Sequence, residues 1–116
     1  MSQHDDAIRL RHMLDHAREA AALIHGKHAS DLASDRVLSL ALVRLLEIVG
    51  EAAGRVSDAG RSRYLAIAWP QIISMRNRLI HGYDAVDMEI LYQILKHDLP
   101  LLIVELEKFP PHEMKW

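Results

Sequence analysis

The sequence predicts a single all-α domain with four main helices, on three observations. Half of the residues are apolar but only 5% are aromatic, and a set dominated by Leu, Ile, Val and Ala suits helix packing better than a sheet sandwich. Those residues recur at three- and four-residue steps along most of the chain, the period of a helix face. With 116 residues the chain is too short to divide into two independently packed cores, so 1–116 reads as one domain. It carries no internal repeat, low-complexity tract or linker.

The first helix is predicted over about residues 5–24, where Ile8, Met13, Ala17, Ala20, Ala21 and Ile24 mark an apolar face. Asp5 and Asp6 stand at its start, where negative charge is favourable. Gly26 stops it, and the polar stretch 27–34 offers Ser30 and Ser34 as N-caps for the next helix. That second helix, over about 35–55, is apolar almost all the way round, through Val37, Leu38, Leu40, Ala41, Leu42, Val43, Leu45, Leu46, Ile48 and Val49. Such a helix is central to a bundle or buried between subunits. Its one polar strip, Arg44, Glu47, Glu51, Arg55 and Asp58, has the three- and four-residue spacing that lets opposite charges pair. Gly50 and Gly54 flank the strip, each disfavouring the helix by about 1 kcal/mol, and predict a close backbone approach there.

Residues 57–69 read as a connection with one irregular turn. A short third helix runs over about 70–81, starting on Pro70 and ended by Gly82. Asp87 caps a fourth over about 87–108, whose apolar spacing continues past Pro100. Proline removes a hydrogen bond and clashes with the preceding turn, so a kink is expected near Lys96. The tail FPPHEMKW, 109–116, is expected as an exposed arm.

The absence of cysteine excludes a disulfide framework and thiolate metal sites and suits a reducing cytoplasm. The N-terminus MSQHDDAIRL carries acids where an export signal carries bases, and no apolar run approaches the length of a membrane span. A cytoplasmic protein without membrane association is expected. The net charge of −2 is unevenly spread: residues 59–83 hold Arg61, Arg63, Arg76 and Arg78 without an acid, +4, whereas 84–107 sum to −5. Solvated faces of neighbouring helices are the simpler account of this pattern, ahead of a nucleic-acid patch.

The stretch MRNRLIHGY, 75–83, concentrates groups able to do chemistry. On a helix, Arg76 and Tyr83 point the same way, Asn77 and His81 form an i, i+4 pair, and Arg78 is near His81. Arginine offers a fixed cationic fork for phosphate, and imidazole moves protons near neutral pH. These are parts for phosphodiester chemistry without a metal. Spacing alone equally allows Arg76 to pair structurally with a carboxylate of the second helix.

Arg76, four residues, His81, one residue and Tyr83, with polar Asn77 directly after the arginine, resemble the signature of the HEPN superfamily, in particular its HepT-like branch. LLEIVGEAAGRVS at 45–57, Trp69-Pro70 and DLP at 98–100 extend the resemblance over nearly the whole chain. It implies an antiparallel helical bundle that dimerises and brings two motifs into one cleft. It also implies a metal-independent endoribonuclease, the toxin of a type VII HEPN/MNT toxin–antitoxin system. By that resemblance Arg76 and His81 are catalytic and Asn77 supports the cleft; the residues themselves add Arg78, near His81 on a helix, and Glu51, able to orient Arg76 or His81, to that support. Tyr83 is the residue to which a partner nucleotidyltransferase antitoxin (MNT) transfers AMP. RNA, with transfer RNA among the candidates, is the implied substrate, and no cofactor is implied. The competing reading is a non-catalytic HEPN adaptor, or nucleotide-binding subunit, of a nucleotidyltransferase complex.

Two further groupings have structural readings. Glu47 and Glu51 imitate a carboxylate dyad, but Arg44 and Arg55 on the same strip can neutralise them. His12 and His16 have zinc-compatible spacing yet no evident third ligand, so no metal site is expected. Tyr83 itself reads either as the modified residue or as a ring packing at a helix end.

Overall fold

A computed structural model describes residues 3–81 and 85–109, apart from the His81 side chain. The described chain is all-α except for one two-residue hairpin. Helix α1 (Gln3–Ile24) lies along α3 (Arg36–Gly54), with the short α2 (Ala29–Ser34) between them in sequence. The core of this pair is Leu10, Met13, Leu14 and Ala17 against Leu42, Leu46 and Val49, each 0–1% exposed. Full burial of one such large side chain contributes about 1.5–3 kcal/mol. The buried stripe of α1 includes Ala7, Leu10 and Leu14, while Ile8 and Ala21, expected on the apolar face, are only half-buried.

The predicted caps Ser30 and Ser34 do not start α3. Both lie within α2, and Asp35 caps α3 by accepting the Leu38 N–H at 3.0 Å. The connection after α3 forms the short α4 (Asp58–Ser62), whose N-cap Ser57 is held by buried Asp6 of α1. The Asp6 carboxylate accepts the Ser57 N–H at 2.9 Å and its hydroxyl at 2.6 Å. A Cβ at Gly60 would lie 2.6 Å from that carboxylate, so only glycine fits there.

The predicted third helix is two: α5 (Trp69–Ile73), with Pro70 in its first turn, and α6 (Met75–Leu79). Ser74 separates them, its hydroxyl donating to the Pro70 carbonyl at 2.8 Å, a local bond that competes with helix and bends it. The helix does not reach His81 as expected. Ile80–His81 is strand β1, paired antiparallel with β2 (Ala85–Val86) in the register Ile80↔Val86 and His81↔Ala85. The β-branched Ile80 already has extended backbone angles, and the Asp87 N–H closes the hairpin onto the Leu79 carbonyl at 2.9 Å. Gly82, expected as the helix stop, lies outside the described residues.

The fourth predicted helix is α7 (Met88–Gln93), a π-helical turn (Ile94–Asp98) and α8 (Leu99–Leu106) in unbroken succession. Asp87 caps α7 as expected, accepting the Ile90 N–H at 3.0 Å. The expected kink at Lys96 takes the form of the π turn: the Leu99 N–H reaches five residues back to the Ile94 carbonyl, the local widening that accommodates Pro100. Phe109 is a correction to the predicted arm, being 3% exposed with its ring 5.4 Å from that of Tyr64. Residues 110–116 of that arm lie outside the described residues. Among the described residues no helix is long and apolar enough to cross a membrane.

Candidate active site

Helix α6 is anchored by Met75 and Leu79, both completely buried and four residues apart, so that one face holds the core and the other presents Arg76 and Asn77 to solvent. What brings α6 to α3 is Gly50. A Cβ there would lie 3.0 Å from the Ile72 carbonyl oxygen and 4.0 Å from Met75 Cβ, so the missing side chain lets the α5 backbone rest on α3. Gly54 has a looser role, with only Ile73 Cγ2 in ordinary contact at 3.9 Å.

This approach delivers Arg76 to Glu47. The Arg76 Nε donates to Glu47 Oε2 at 2.8 Å, and the Glu47 side chain is 17% exposed against 61% for the arginine. The two Nη groups of Arg76 meet no partner among the described residues. The carboxylate thus holds the guanidinium from its stem side and, among the described residues, leaves its terminal fork unpaired, the half suited to a bidentate phosphate contact.

Arg78 is used differently. Its Nη2 donates to Asp98 Oδ2 at 3.1 Å, with both side chains 36% exposed, tying α6 to the π turn. Asn77 is exposed and has no hydrogen-bond partner among the described residues. Glu51, expected to support Arg76 or His81, pairs with Arg44 at 3.4 Å, and it is Glu47, one turn earlier, that meets Arg76. The i, i+4 helical pairing expected between Asn77 and His81 is replaced, because His81 belongs to β1. The His81 side chain and Tyr83 lie outside the described residues.

Arg61 donates to the last carbonyls of α3, Gly54 O at 3.1 Å and Ala53 O at 3.5 Å, and its guanidinium sits 6.0 Å from the Trp69 ring centroid. The basic run 59–83 is therefore dispersed over several contacts and does not form one patch. His16 Nδ1 donates to the His12 carbonyl at 2.6 Å. Among the described residues no group of three or more His, Cys, Asp or Glu is arranged to hold a metal ion.

A family model described as ribonuclease HepT-like matches residues 13–109, which include α3, α6 and the hairpin. The chain belongs to the ribonuclease HepT-like family. It is 28% identical over 107 residues, 92% of this chain and 98% of the relative, to the Methanocaldococcus jannaschii protein named "Putative RNase MJ1380". It is 33% identical to "Putative RNase TTE0752" of Caldanaerobacter subterraneus, over 85% of each chain. Identity is 35% to the "Probable ribonuclease HepT" of Thermococcus cleftensis, over 67% of this chain and 71% of that one. No solved structure matches.

Within this HepT-like chain, two site residues escape sequence reasoning in their particulars. Glu47 is visible as one of several strip carboxylates but not as the one that reaches Arg76. Asp98, in the DLP segment, gives no local sign of its Arg78 contact, which spans 20 residues.

Proposed function

We propose that this protein is a metal-independent endoribonuclease that cleaves RNA by transesterification, with Arg76 and His81 as its catalytic residues. The observation that carries the reading is the Arg76 guanidinium, held at Nε by Glu47 with its terminal fork open, five residues before a histidine in the family's motif. In this reaction the RNA 2′-oxygen loses its proton to a base and attacks the adjacent phosphorus. The P–O5′ bond breaks, an acid protonates the departing 5′-oxygen, and a 2′,3′-cyclic phosphate remains. Arg76 balances the charge that builds on the phosphoryl oxygens, and imidazole suits both proton transfers.

The motif has one histidine per chain, so base and acid come from the His81 residues of two protomers in a homodimer. The open apolar face of α3, with Val37 78% and Leu40 52% exposed, supports such an assembly. The chain is the toxin of a toxin–antitoxin pair, and its partner is a nucleotidyltransferase antitoxin. That partner silences the toxin when the Tyr83 phenol oxygen attacks the α-phosphorus of ATP and pyrophosphate leaves. The resulting phosphodiester adds negative charge and bulk seven residues from Arg76, where it competes with RNA phosphate.

The test is cleavage of transfer RNA and total RNA in EDTA by protein whose intact mass shows no AMP, beside His81→Ala and Arg76→Ala. Loss of cleavage in both variants supports the reading. No cleavage by the unmodified dimer overturns it in favour of a non-catalytic adaptor, in which His81→Ala leaves complex formation with the nucleotidyltransferase unchanged.

A further inference from the structure

The polar edge of α3 does not end at Glu47. One turn on, Glu51 pairs with Arg44, and beyond it a pocket of about 150 Å³ opens between α1 and α3, lined by Arg9, His12, Ile48, Glu51, Ala52 and Arg55. Arg9 is half-buried at this pocket, and its Nε has no hydrogen-bond partner among the described residues. The lining carries two guanidinium groups and an imidazole against one carboxylate, and that carboxylate is already engaged by Arg44. The volume equals about five waters' share of liquid, enough for a tetrahedral phosphate group.

Position gives the pocket its meaning. Arg55 follows Glu47 by eight residues, so it stands about 12 Å further along the helix axis, on the same strip as the carboxylate that orients Arg76. We propose that Arg9, His12 and Arg55 bind a second phosphate of the RNA strand whose scissile phosphate lies on Arg76, making the α3 edge the track that sets the strand's path. This rests on the ribonuclease reading above and adds to it a binding subsite distinct from the reacting atoms. The pocket's charge and its place on the polar edge of α3 that also carries Glu47 favour a nucleic-acid backbone over an acidic protein segment.

The test uses the full chain. Binding of a labelled single-stranded RNA is measured against salt in a His81→Ala background, with and without Arg9→Gln and Arg55→Gln. Losing one phosphate contact is expected to lower the slope of log affinity against log salt by about 0.7. In the His81-intact protein the same changes are expected to raise KM while kcat holds, and Arg9→Lys with Arg55→Lys, which keep the charge, recover most of the slope. Arg55 is exposed, so Arg55→Gln serves even if Arg9→Gln fails to fold. An unchanged slope and KM in protein that binds and cuts RNA overturns the subsite and leaves the ribonuclease standing. Unchanged RNA binding with weakened binding of the nucleotidyltransferase assigns the pocket to a protein partner and overturns it too. A parent that neither binds nor cuts RNA overturns both.

Discussion

Arg76 and Arg78 stand two residues apart on one short helix, and each meets a single carboxylate from another element, yet they have opposite uses. Arg76 is bonded through Nε to Glu47 and keeps its terminal fork open, whereas Arg78 spends a terminal nitrogen on Asp98. Exposure follows the same division, 61% for the Arg76 side chain against 36% for that of Arg78. An arginine gripped at its stem is pre-oriented for an incoming anion, whereas one gripped at its fork is a strut between helices. The point of attachment, more than the presence of an ion pair, separates the site from the scaffold.

The largest break in this comparison is expected from Arg76→Ala. Removing one preorganised donor to a transition-state anion typically reduces the rate by about 10²–10³, and cleavage in EDTA should fall by that order. Stability should fall by about 1–3 kcal/mol, because the variant leaves the mostly buried Glu47 carboxylate without its partner, which a melting curve of the same variant checks. Gly50→Ala acts through the backbone instead. The added Cβ meets the Ile72 carbonyl at 3.0 Å, so α5 must retreat or the helix pair must strain. Overpacking of that kind costs about 1–3 kcal/mol, read by denaturant unfolding, and the same displacement withdraws Arg76 from Glu47 and lowers cleavage.

The parts of the molecule that local periodicity governs are legible in the sequence, and those that depend on distant partners are not. Helices α1 and α3 lie where the apolar spacing puts them, and Asp87 caps as its position before an apolar run suggests. Gly50 announces a close approach, though not that the neighbour is the Ile72 backbone. The segment after Ser74 is misread as one helix because helical periodicity over five residues continues formally through Ile80 and His81. The β-branched Ile80 and the strand pairing with Val86 and bond from Asp87, contacts with residues later in the chain, decide it otherwise. For the same reason Asn77 and His81 do not share the helix on which the helical wheel places them. The motif is legible as chemistry, since Arg, His and Tyr at their spacing name a family, while the carboxylate that orients the arginine is a tertiary fact.

Glu47→Gln sharpens the contrast from the other side. An amide in that position can still accept from Arg76 Nε but no longer fixes it by charge, so cleavage should fall by a smaller factor than in Arg76→Ala, about tenfold for the loss of a charge-assisted bond. The fall should appear in kcat if Glu47 orients a group that acts in the transition state, and the fold should persist by circular dichroism.

The smallest effect belongs to Arg78→Ala. Both partners of its ion pair are a third exposed, so solvent screening leaves the pair worth less than about 1 kcal/mol. Cleavage should drop far less than in Arg76→Ala, because the strut joins α6 to the π turn without reaching toward substrate. Asp98→Asn should reproduce the Arg78→Ala loss of stability, and the double variant should lose little more than either single one if the contact is the whole of Arg78's role. A cleavage defect in Arg78→Ala that Asp98→Asn does not share would instead give Arg78 a direct part in the site and erase the distinction between the two arginines.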